Sequence, residues 1–105
     1  METLEVLRKA RGLIEKGWCQ GVYAKDENGK PCDPNSAAAE SFCVYGALRR
    51  WAQRYSDEYD AATDRLGEEP ECQHGISLFN DHEDRTQAEV LALFDRTIAK
   101  LETAS

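Results

Sequence analysis

Apolar residues recur at helical spacing in four stretches of the chain. In the first, Leu4, Leu7, Ala10, Leu13 and Ile14 fall largely on one face of residues 4–16, while Arg8, Lys9, Glu15 and Lys16 fall on the other. Thr3 is placed to cap this helix. Gly17 reads as its C′ stop with positive φ, and Trp18 as a ring folded back over the helix end. The second stretch, residues 37–55, is Ala-rich, with Phe42, Cys43, Gly46, Ala47, Leu48, Trp51 and Tyr55 on its apolar side and Ser36 as its cap. A glycine inside a helix costs about 1 kcal/mol relative to alanine. Gly46 therefore predicts close approach of another backbone or a large ring. The third stretch, residues 57–66, is capped by Ser56, carries the inward stripe Tyr59, Ala62 and Leu66, and stops at Gly67. The fourth opens on Thr86-Gln87-Ala88-Glu89, a capping box, and turns Val90, Leu91, Phe94, Ile98 and Leu101 inward.

Between the first two helices, residues 20–33 read as a small β-hairpin. Asn28-Gly29 supplies the positive φ that a two-residue turn needs, Val22, Tyr23 and Ala24 suit a strand, and Pro31 keeps the return strand short or at an edge. Asp26-Glu27-Asn28-Gly29 lacks the alternating ligands and the distal Glu of a calcium loop, so it reads as a plain turn. Residues 68–84 carry Pro70 and Gly75 and read as a loop with one short turn at 76–79. The predicted fold class is mainly α with a small β-hairpin: a single compact domain of about four helices over residues 1–105. Trp18, Phe42, Trp51, Phe79 and Phe94 are its expected aromatic centre.

Composition narrows the function classes. The chain has 105 residues with 20 acids against 13 bases, a net charge of −7, which argues against direct nucleic-acid binding. An apolar fraction of 41% separates it from disordered chains, and no long apolar run predicts a membrane helix. The first residues lack the basic and apolar regions of a signal peptide, so the cytoplasm is the expected compartment. Cys19, Cys32, Cys43 and Cys72 contain no C-x-x-C pair and are expected as thiols, although Cys19 and Cys32 flank the hairpin and lie within reach of a disulfide.

Trp18-x-x-Gly21-x-x-Ala24-x-Asp26-x-x-Gly29, then Cys43-x-x-Gly46-Ala47-Leu48, then Phe79-Asn80-Asp81 ahead of Thr86-x-x-Glu89-Val90 together resemble a family of small bacterial and phage proteins known only as a domain of unknown function. The resemblance spans roughly residues 4–101. Phe79 stands where members of that family often carry Trp. The resemblance implies one compact intracellular domain, and neither an activity, a cofactor nor a catalytic residue.

Four groups of residues carry candidate chemistry. Cys43 is the candidate nucleophile, with His74 or His82 as base; a thiolate there needs a helix N-terminus or an imidazolium beside it. With the helix starting at 37, Cys43 lies two turns in and reads as packing. Cys72-x-His74 with His82, Asp81 and Asp84 is a candidate metal set, but the spacing matches no established pattern, so no metal and no cofactor are expected. Asn80-Asp81 reads as a backbone anchor, with Asp81 at a pocket edge beside Trp18 as its functional alternative. Finally, residues 57–84 hold ten acids against Arg65 alone and so contain the entire acidic excess. Asp57, Asp60, Asp64, Glu68, Glu69 and Glu71 are the candidate docking surface for a basic protein partner, opposed by a shorter basic feature at Arg49, Arg50 and Arg54. Three functions fit. They are a non-enzymatic protein-binding or regulatory module, a small cysteine-dependent hydrolase or transferase using Cys43 with His74 or His82, and a phage-type inhibitor whose acids imitate nucleic acid. Nothing in the sequence sets the oligomeric state.

Overall fold

A computed structural model describes residues 2–104. The elements, in chain order, are α1 (Thr3–Lys16), β1 (Ala24–Lys25), β2 (Ser41–Phe42), α2 (Val44–Trp51), α3 (Asp57–Gly67), a single 3₁₀ turn (Pro70–Cys72), α4 (Ile76–Asp81) and α5 (Gln87–Ala104). The amphipathic face of α1 is the centre of the domain, with α2, α3 and α5 packed around it. Val6, Leu7, Ala10 and Ile14 of α1 meet Val44 and Leu48 of α2, Leu66 of α3 and Val90, Leu93 and Phe94 of α5 in one core. Phe42, Phe79 and Phe94 are buried as expected, whereas Trp18 and Trp51 lie at the rim of the core, partly buried.

The caps read from the sequence at α3 and α5 are in place. Ser56 Oγ accepts from Tyr59 N–H at 3.2 Å. Thr86 Oγ1 accepts from Glu89 N–H at 3.2 Å, while Glu89 Oε1 accepts from Thr86 N–H at 3.0 Å. These hydrogen bonds favour the charged carboxylate and hold the Glu89 pKa below its usual value. Thr3, by contrast, is the first helical residue of α1 rather than its cap, and Glu2 stands at the N-cap without a side-chain bond.

Three further expectations, on the second helix, the hairpin and residues 76–81, are corrected. The second helix begins at Val44, not at 37, and ends at Trp51, not at 55. Ser36 organises only a local turn, accepting from Ala38 N–H at 3.1 Å. Ser41 and Phe42 are instead drawn into backbone pairing: Phe42 N–H donates to Gly17 O at 3.0 Å, and Cys19 N–H donates to Phe42 O at 3.1 Å. That long-range pairing overrides the helical preference of the alanines. The hairpin is also rearranged. The turn at Asn28-Gly29 forms, with Asp26 N–H on Lys30 O at 2.9 Å, but the antiparallel partners of β1 are Ala24↔Phe42 and Lys25↔Ser41. Residues 26–40 are the connection, with one bridge between Lys25 and Pro31. Finally, Ile76–Asp81 is a helix rather than a turn, which makes five helices.

The positive φ expected of Gly17 is also corrected: it is the C-cap of α1 but has an extended backbone, φ −170°. Its glycine is required by space: a Cβ there would lie 2.4 Å from Glu40 O. Gly46 follows the sequence-based expectation of close approach, since its Cβ would lie 1.9 Å from Tyr23 O.

Candidate functional site

Asn80, 2% exposed, ties α4 to the stretch after α1 and to the start of α2. Its Oδ1 accepts from Trp18 Nε1 at 3.0 Å and from Val44 N–H, at the first residue of α2, at 3.2 Å. Its Nδ2 donates to Cys19 O at 3.2 Å and to Asp81 Oδ1 at 2.8 Å. Asp81 Oδ1 in turn accepts from Gly21 N–H at 3.0 Å, and Gly21 has φ +82°. Gln20 adds a clamp, donating to Asn80 O and His82 O at 2.9 and 2.8 Å. Trp18, Gly21, Asn80 and Asp81 thus meet in one frame, Gly46 lies outside it against Tyr23 O, and Gly29, φ +78°, lies at the exposed tip of the 26–30 turn. The sequence pointed to this frame through Asn80-Asp81, read as a backbone anchor with Asp81 beside Trp18.

The frame walls a half-open cleft of about 260 Å³ between the segment leading into β1, α2 and α4, lined chiefly by Tyr23, Cys43, Tyr45, Ser77, Asn80 and Asp81. Cys43 is not two turns inside a helix. It is the N-cap of α2, with Sγ accepting from Gly46 N–H at 3.3 Å. That position favours a thiolate, but burial opposes it and wins, pushing the Cys43 pKa up to about 11. Neither His74 nor His82 lines the cleft. His82 caps the C-terminal end of α4, and its Nδ1 accepts from Asp84 N–H at 3.1 Å. The structure therefore does not bring the candidate nucleophile and base together. Native protein treated with iodoacetamide at pH 7 is expected to label first at Cys32, which is partly exposed, and at Cys43 only after denaturation. Fast native labelling at Cys43 is the result that contradicts its burial.

The four cysteines are free thiols, Cys19 and Cys32 included. Cys72 is buried, with its pKa raised to about 11 by desolvation, while His74 and His82 are exposed. Among the described residues no three His, Cys, Asp or Glu side chains gather in a form able to hold a metal. Among the same residues no helix is long and apolar enough to cross a membrane.

The acidic residues divide into two groups. Asp57, Asp60, Asp64 and Glu68 are exposed along α3 and its end. Glu69, expected to face outward, is 4% exposed: Lys100 Nζ donates to it at 2.6 Å and Arg96 Nε lies 3.6 Å away. Glu71 pairs with Arg96 as well. Glu69 and Glu71 therefore fasten the 3₁₀ turn to α5, which accounts for acids that are unfavourable for the dipole of α3.

The first turns of α3 also border a groove of about 570 Å³ with the start of α1 and the end of α5. Its apolar floor is Leu4, Ala61 and Leu101, all partly buried, and Glu2, Asp57 and Glu58 stand around it.

The molecule is thus a small mainly α-helical domain with a two-stranded antiparallel hairpin. The chain belongs to DUF6197, a family of unknown function, whose model matches residues 1–100. No curated protein and no solved structure gives a significant match.

Proposed function

We propose that this domain is a non-enzymatic binding module that docks a basic segment of a partner protein against α3. The observation that carries this reading is the groove beside that helix. An apolar floor of Leu4, Ala61 and Leu101 edged by Glu2, Asp57 and Glu58 has the anatomy of an interface: a dry centre for an anchoring side chain, and a charged rim. Asp60, Asp64 and Glu68 extend the rim along the helix. Among the described residues the ion pair in this row is Arg65–Glu68, at 3.9 Å with both side chains half exposed, so the row is open to external cations. The partner segment that fits carries one apolar anchor flanked by Lys or Arg. The hydrolase or transferase reading has less support, because the cleft at Cys43 provides neither a thiolate nor a histidine.

The test is charge reversal, with Asp57, Asp60 and Asp64 changed to Lys together in a partner complex recovered from the host. The fold survives, as these side chains contact water. Association with the partner slows about tenfold or more at low salt, and its salt dependence flattens. An unchanged association rate overturns the reading.

One observation favours a second reading. Asp57, Asp60, Asp64 and Glu68 recur every three or four residues, about 4.5–6 Å of helix rise apart, and so form a continuous acidic strip. Such a strip imitates the phosphates of nucleic acid. If the partner is a nucleic-acid-binding protein, duplex DNA will compete with this domain for it; partner binding that is indifferent to DNA excludes the mimic.

A further inference from the structure

We propose that the opposite charge feature, at the C-terminal end of α2, is a binding site for the phosphate group of a nucleotide. The chain has eight arginines. Arg8, Arg11, Arg65, Arg85 and Arg96 each hold a carboxylate within 4.0 Å. Arg49, Arg50 and Arg54 form no such pair among the described residues, in a chain where acids outnumber bases 20 to 13. These three line a hollow of about 390 Å³ with Asn35, Trp51 and Gln53. Guanidinium groups gathered without carboxylates are matched to an oxyanion, which they bind through paired N–H donors. The volume lies in the range of small-ligand pockets.

The helix dipole explains part of the cluster but not all of it. Arg49 and Arg50 lie in the last turn of α2, where cations are favourable, but Arg54 lies beyond the helix. Arg50 Nη1 is occupied, donating to Pro34 O and Ser36 O at 2.9 Å each. This anchors the guanidinium and leaves its other donors for a ligand. The indole N–H of Trp51 is buried without an acceptor. A protein of net charge −7 repels a long polyanion, so a single small anion fits this local positive field better than a nucleic-acid strand.

Aromatic rings select a ligand that also carries a flat face. Lys9 Nζ lies 4.6 Å from the centre of the Trp51 ring, and the Arg54 guanidinium 4.8 Å from that of Tyr55. Tyr55 is 73% exposed and holds φ +67°, which makes it the single non-glycine residue with positive φ among those described. A strained, solvent-facing aromatic serves no packing purpose in the fold. Beside an oxyanion hollow it offers a platform on which a base stacks. This site is independent of the acidic groove, and its failure leaves that reading intact.

The test is calorimetric or NMR titration of the wild-type protein with adenosine 5′-monophosphate, inorganic phosphate, adenosine and a short single-stranded oligonucleotide. The nucleotide is expected to bind about tenfold or more tighter than phosphate or adenosine. Arg49→Gln with Arg54→Gln should weaken it about tenfold or more, the loss of charge-assisted hydrogen bonds. Tyr55→Gly relieves the backbone strain, so the melting temperature holds or rises, yet nucleotide affinity falls to that of phosphate alone. Equal affinity for phosphate and nucleotide, preference for the oligonucleotide, or no binding by any of the four overturns the proposal. So does a Tyr55→Gly variant that binds as the wild type does.

Discussion

Gly46→Ala lowers the melting temperature by on the order of 10–20 °C. The added methyl carbon would lie 1.9 Å from Tyr23 O and 2.7 Å from Tyr23 C, both backbone atoms. They cannot swing aside as a flexible side chain does. Tyr23 O also accepts the Cys43 N–H at 3.1 Å, so moving the strand away breaks the bond that sets the start of α2. Relief therefore requires α2 to separate from the segment leading into β1, at about 3 kcal/mol or more, which in a domain of this size corresponds to that shift in melting temperature. Gly12 is the control. It also lies within a helix, but nothing stands within 4 Å of its Cβ position. Gly12→Ala is expected to stabilise by up to about 1 kcal/mol through helix propensity. Two melting curves decide the matter, and equal effects of the two substitutions would remove the close approach as the reason for Gly46.

Asn80→Ala is expected to cost about 3–5 kcal/mol, read as a fall in the urea midpoint. The loss of Asn80 Oδ1 strands the Val44 N–H and the Trp18 indole N–H, and the loss of Nδ2 strands Cys19 O. Each buried orphan costs more than the hydrogen bond contributed. Asn80→Asp is the sharper variant. It keeps the acceptor but turns a second oxygen toward Cys19 O and the Asp81 carboxylate, where Nδ2 had donated. It should destabilise strongly at neutral pH despite its nearly identical shape. A change under about 1 kcal/mol in both variants would mean that water replaces the side chain and that the frame is not held by Asn80.

What the sequence made legible is what short-range chemistry determines. Ser56 and the Thr86–Glu89 pair cap α3 and α5 with bonds spanning three residues, and Asp26 organises its turn by accepting from Asn28 and Lys30 N–H groups. The α2 start was not legible, because Ser41 and Phe42 are extended by partners at Gly17 and Ala24, which local propensity does not see. The same holds for Glu69. Its neighbours predicted an exposed acid, and only the return of α5 sets Lys100 and Arg96 against it. The candidate site was legible by residue and not by arrangement. Cys43, Asn80 and Asp81 share a cleft as motif residues, while His74 and His82 do not enter it. The basic residues at 49, 50 and 54 were visible in the chain, but that none of them forms an ion pair among the described residues is a property of the fold alone.

The connection between β1 and β2 gives the molecule a handle. Asn28 and Gly29 are exposed, Gly29 at φ +78°, and the turn beneath them is closed by its own bonds, Asp26 to Lys30 and Lys25 to Pro31. A tip that is self-closed and contributes no side chain to the core tolerates added chain, because the loop-closure entropy grows only with the logarithm of its length. A reporter peptide or fluorophore-bearing graft inserted between Asn28 and Gly29 therefore leaves the helices around α1 undisturbed. Both the acidic groove and the arginine hollow can then be followed by fluorescence on one and the same labelled protein.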